Sequence, residues 1–155
     1  MSEKQHPIRI IGVGHQFRGD DAVGLIVAQR LRAVCPPGVT IVEAQTDGAA
    51  LMETWAEADE VIIIDAVQSG ARPGTLHRFN AHQQPMPVHC FGCSTHGFNV
   101  AEAIELARTL DRLPPRLIVY GIEGATFEIG QAVSPAVLAS AEELAERLAD
   151  ELIGR

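Results

Sequence analysis

The chain has 155 residues, 46% of them hydrophobic and 21% charged, and a length like this supports a core without disulfides or a structural metal. Its formal net charge is −8 and its 12 Lys and Arg residues are scattered, which argues against nucleic acid or an anionic membrane as partner. The polar opening MSEKQHP, the lack of any apolar run near the ~20 residues of a membrane span, and three cysteines (Cys35, Cys90, Cys93) with no even-numbered framework lead us to expect one cytoplasmic domain over residues 1–155.

In chain order, Ile8–Val13 is a short apolar run closed by Gly12 and Gly14, the pattern of a buried strand. Ala22–Val34 sets Val23, Ile26, Val27, Leu31 and Val34 at helical spacing, and Pro36-Pro37 stops it. Val39–Ala44 alternates as a strand, and Ala49–Ala58 reads as a short helix around Leu51, Met52 and Trp55. Val61–Val67 is a β-branched run suited to a strand covered on both faces, and Thr75–Phe79 is a further strand. Asn80–Thr95 reads as a loop, Phe98–Leu110 as a helix and Leu117–Ile122 as a strand. Ser134, as N-cap before Pro135, opens a long amphipathic helix to Ile153. Strands alternating with helices imply an α/β fold with a largely parallel sheet.

In such sheets ligands gather at the carboxyl ends of the strands. Asp20-Asp21 follows the first strand, Asp65 is expected to end the third, and His96 stands just before a helix, so these groups can meet at one sheet edge. Two carboxylates and an imidazole suit a borderline divalent ion such as Ni²⁺ or Zn²⁺. Blander roles are a helix cap for Asp20-Asp21, a loop cap or arginine partner for Asp65, and a solvated loop position for His96. Gly12-Val-Gly14 invites a dinucleotide reading with Glu43 on a ribose, but position 17 is Phe where the third glycine belongs, and two aspartates occupy the turn where phosphate would sit. Cys90-Phe91-Gly92-Cys93 has no second pair to complete a metal site, and Trp55 and Phe98 read as core.

The stretches GVGHQFRGDDAVG (12–24), VIIIDAV (61–67) and STHGFNVAEAI (94–104), with Thr46-Asp47-Gly48 between them, resemble the hydrogenase maturation protease family. The resemblance runs over nearly the whole chain. It implies a three-layer α/β/α sandwich with a central, largely parallel sheet of about five strands, of the phosphorylase/hydrolase-like kind. It also implies an endopeptidase that removes the C-terminal extension of a nickel-loaded nickel–iron hydrogenase large-subunit precursor. By position, Asp21, Asp65 and His96 match the family's metal-binding acids and histidine. The metal is nickel carried by the substrate, with zinc or another divalent ion as the alternative occupant of the same site. Asp47, Gly48 and His15 are further substrate-contact candidates; His15 stands where the family commonly has Asn. Competing readings are a nickel-dependent scaffold that holds the precursor without cutting it, and a general metallopeptidase with its own zinc.

Overall fold

In a computed structural model that describes residues 7–45, 48–92 and 99–154, five strands form one sheet. They are β1 (Ile8–Val13), β2 (Val39–Ala44), β3 (Glu60–Val67), β4 (Leu76–Asn80) and β5 (Arg116–Glu123), in the order β2-β1-β3-β5-β4. All neighbours are parallel except the edge strand β4, which runs antiparallel to β5. The helices are α1 (Val23–Arg32), α2 (Gly48–Thr54), α3 (Val100–Thr109) and α4 (Pro135–Ile153). Among the described residues no helix is long and apolar enough to cross a membrane.

The β-branched run of β3 is covered on both faces, as its composition requires. Ile62, Ile64 and Ala66 face α1 and α4, whose Val27, Leu31, Leu144 and Leu148 are buried with them. Val61, Ile63 and Val67 face the other way, against Leu51, Trp55, Val100 and Ile104 from the α2 and α3 layer. The three-layer sandwich is therefore present, with a core on either side of the sheet. At the head of α3, Asn99 and Glu102 close a capping box, each side chain accepting from the other's backbone N–H at 2.8 and 3.2 Å.

Some boundaries move. The first helix ends at Arg32 rather than Val34, and the third at Thr109 rather than Leu110; Val34 and Leu110, just past the helix ends, are both about half exposed. The stretch expected to be loop carries a 3₁₀ turn, Val88–Cys90, and a bridge from Phe91 to Val67. Asp65 does not end its strand: β3 continues to Val67, although it pairs with β1 only as far as Gly12↔Ile64. The connection through α1 leads outward from β1 to β2, and the next crosses back to β3, so the chain reverses direction between β1 and β3. That is where an open α/β sheet leaves a crevice.

Candidate functional site

The crevice is built by two close approaches. Gly24, near the start of α1, lies so tight against the sheet that a Cβ would sit 2.3 Å from the carbonyl oxygens of both Val13 and Ile64. Gly14 is held as closely, for its Cβ would meet the Asp21 carbonyl oxygen at 2.0 Å. The loop leaving β1 therefore doubles back on itself: the N–H of His15 donates to the backbone oxygen of Asp21 at 3.3 Å, and the N–H of Asp21 to that of Arg18 at 3.1 Å. This delivers Asp21 to the end of β1, beside the part of β3 that β1 leaves unpaired.

The pleat puts Asp65 on the same face as Ile63 and Val67, the α2 and α3 side. Its partner across β5 is Gly121, which contributes no side chain beside it. Asp65 is buried, and its carboxylate accepts from the N–H of Ala66 at 2.8 Å. Burial, and then the charge of Asp21, push its carboxyl well above the usual aspartate range, more than the Ala66 bond offsets. Asp21 is raised too, first by burial, against the opposing influence of the His15 and Arg18 side chains and the His15 N–H. Two carboxylates so placed each bear the cost of burial, and the charge on Asp21 adds to it at Asp65. A divalent cation between them would relieve both, so this donor set fits a metal.

His96, Asp47 and Cys93 lie outside the described residues, and so does Phe98. The chain on either side of the His96 run is nevertheless fixed at this edge. Phe91 bridges to Val67, the N–H of Gln68 donates to the Cys90 oxygen at 2.7 Å, and the Asn99 amide donates to the oxygens of Val88 and Phe91 at 3.0 and 3.2 Å. Gly48 opens α2. His15 sits half-buried in the Asp21 loop. Among the described residues no group of three or more His, Cys, Asp or Glu is gathered as a metal cluster.

Asp20 is not a helix cap. Its carboxylate is fully buried and accepts from the N–H groups of Ala125, Thr126 and Ser134 at 2.7, 3.1 and 2.6 Å, and from the Ser134 hydroxyl at 2.8 Å. Burial alone would raise its pKa, yet these bonds outweigh burial and hold it below the usual range. Ser134 consequently stands at the N-cap position of α4 without capping it, because its hydroxyl is turned to Asp20. Glu123 is a second buried acid. It accepts from the N–H and hydroxyl of Ser69 and lies 3.1 Å from His77 Nε2, and these contacts overcome burial to lower its pKa. Glu123 fixes the turn that leaves β3. The sequence offered no sign of it beyond an acid at the end of an apolar strand, the same sign that singled out Asp65. Glu43 is occupied by Gln29 at 2.8 Å and Arg32 at 2.5 Å, on the α1 side of β2.

A family model described as hydrogenase maturation protease matches residues 26–151. The Bradyrhizobium diazoefficiens hydrogenase expression/formation protein HupD is 28% identical over 129 residues, 82% of this chain and 67% of that protein. The chain thus spans about two-thirds of the length of the HupD relatives it matches. The Escherichia coli hydrogenase 2 maturation protease is 27% identical over 144 residues, 91% of this chain and 87% of that one. Among solved structures, the hydrogenase maturating endopeptidase HybD of E. coli superposes with a TM-score of 0.77 at 26% identity, over 92% of this chain and 89% of that one. The maturation protease HycI of Thermococcus kodakarensis does so with a TM-score of 0.75 at 25% identity, over 96% and 94%.

Proposed function

Because the chain belongs to the hydrogenase maturation protease family, we propose that it removes the C-terminal extension of a nickel-loaded nickel–iron hydrogenase large-subunit precursor. The observation that carries this reading is the pairing of Asp21 and Asp65 at the β1–β3 crevice, two half-compensated acids whose charge a cation would stabilise. In the proposed reaction the nickel arrives with the substrate. Asp21, Asp65 and His96 take it as additional ligands, which brings the bond to be cut to the sheet edge. There the ion acts as a Lewis acid on the scissile carbonyl or on water, while Asp21 and Asp65 receive positive charge where they would otherwise repel. His15, Asp47 and Gly48 are the further candidates for contact with the substrate. The competing occupant is zinc or another divalent ion held by the same three residues.

The test is incubation of nickel-loaded precursor with wild type, Asp21→Ala, Asp65→Ala and His96→Ala, followed by mass. Release of a C-terminal peptide by wild type alone, and only from nickel-loaded precursor, is the expected result. Equal cutting of nickel-free precursor would sink the substrate-nickel reading, and binding without cutting would make the protein a scaffold.

A further inference from the structure

Among the described residues the two most exposed large hydrophobic side chains are Ile129 at 75% and Phe17 at 69%. Single apolar residues on a surface need no explanation. These two differ because both occupy corners of hydrogen-bonded turns, where polar residues or glycine are the usual choice. Phe17 lies within the turn His15–Arg18, closed by the bond from the Arg18 N–H to the His15 oxygen at 3.3 Å. Ile129 lies within the turn Glu128–Gln131. That turn is closed by the Gln131 N–H on the Glu128 oxygen at 3.3 Å and by the Glu128 N–H on the Gln131 side chain at 3.1 Å, and Gly130 supplies the positive φ of 87°.

The two turns are joined. The N–H of Gly130 donates to the oxygen of Phe17 at 2.9 Å, and the N–H of Asp20 donates to the oxygen of Thr126 at 2.7 Å. Gly19, at a φ of 57°, lets the loop pass so close that a Cβ would meet the Thr126 oxygen at 2.6 Å. The Asp20 carboxylate then holds Ala125, Thr126 and Ser134 from below. Two exposed apolar side chains are thus carried on two hydrogen-bonded turns, Phe17 on the loop that also delivers Asp21 and Ile129 on the connection from β5 to α4 that is tied to it. Where sequence choice contradicts local turn chemistry on a rigid frame, function is the expected reason.

We propose that Phe17 and Ile129 form an apolar lip beside the Asp21–Asp65 crevice on which an apolar segment of the large-subunit precursor seats as the bond to be cut reaches the acids. This inference rests on the maturation reading above. The occupant follows from continuity with the site: Phe17 and Asp21 share one loop and the Ile129 turn is hydrogen-bonded to it, so whatever sits on the lip lies beside the chain that carries Asp21. A second copy of this chain is a poorer occupant, because it would cover that same loop. Two side chains also fall far short of the roughly 1,200–2,000 Å² of a stable interface, while they suit a small anchoring cluster.

The experiment measures cleavage of nickel-loaded precursor against its concentration for wild type, Phe17→Ser, Ile129→Ser and Phe17→Leu, with thermal melts and gel filtration of each. Loss of one buried apolar anchor should raise KM about tenfold in each serine variant, with kcat within about twofold of wild type. Phe17→Leu should stay near the wild-type KM. An unchanged KM in both serine variants overturns the lip and leaves the peptidase standing, and so does a fall confined to kcat. Loss of a wild-type dimer with unchanged KM overturns it also, by making the patch a self-contact. Should wild type bind the precursor without cutting it, the peptidase reading fails while the lip is still decided, by an about tenfold weaker Kd of the serine variants or an equal one. No cutting and no binding by wild type overturns both.

Discussion

Ser134 gives both its N–H and its hydroxyl to Asp20, at 2.6 and 2.8 Å, across 114 residues of chain. Three donors meet Asp20 Oδ2 and one meets Oδ1. Asp20→Asn can keep an oxygen toward three of them, but its amide nitrogen then faces the Ser134 N–H, donor against donor. We expect a loss of about 3 kcal/mol, or roughly 6–12 °C in Tm, measured by urea and thermal unfolding. A shift under 2 °C would show that the cluster contributes little to holding the Asp21 loop.

Asp65 should behave in the opposite way. Asn at this position keeps the acceptor for the Ala66 N–H, removes a buried charge and ends the repulsion from Asp21. Asp65→Asn should therefore abolish precursor cleavage while raising the Tm of the metal-free protein by about 2–4 °C, the mark of a residue kept for function at a cost in stability. A variant that is both inactive and less stable would place Asp65 among the structural acids.

The pH dependence of stability separates the two kinds of acid. Asp65 has a folded pKa well above its ordinary 3.8, so the metal-free protein gains stability as pH falls from neutral through that raised value. Asp20 and Glu123 lie below their ordinary 3.8 and 4.5, so their contribution is present above those values and is lost as pH drops through the lowered folded ones. Thermal melts from pH 8 to 3 should accordingly show a rise and then a fall. Asp65→Asn should flatten most of the rise, leaving the part due to Asp21, whose carboxyl burial also raises; a rise of undiminished size in that variant would assign it to other groups.

Gly24→Ala tests the closeness of helix and sheet. A methyl group 2.3 Å from two backbone oxygens has no flexible neighbour to displace, so α1 must lift from β1 and β3. The expected loss is about 3 kcal/mol or more, read by chemical denaturation. An alanine variant of wild-type stability would mean that α1 sits less tightly than its backbone contacts require.

Much of this was legible from residues alone. The apolar run of β3, the helical spacing of α1, α3 and α4, and the acids after the strands identified the layers and the edge where Asp21 and Asp65 meet. What escaped depended on partners remote in sequence. Asp20 reads as a second capping acid until Ala125, Thr126 and Ser134 fold over it. Asp65 was expected to end its strand, but where a sheet edge falls is set by the neighbour that stops first, here β1. Glu123 falls one residue past the expected strand Leu117–Ile122, and only the arrival of Ser69 and His77 makes it an interior residue. Phe17 reads merely as a missing glycine, because nothing in its own turn reveals that the Ile129 turn is hydrogen-bonded to it.

The strand order also sets when the two acids first meet. No pair of neighbouring strands is joined by a hairpin; every pairing waits on the closure of a longer connection, which places this topology among slower folders. Before β1 finds β3 the chain carries Asp21 and Asp65 apart and solvated, so their repulsion opposes only the pairing that completes the crevice. Removing one of these charges should then speed folding only to the extent that β1 and β3 are already paired at the barrier, and otherwise slow unfolding.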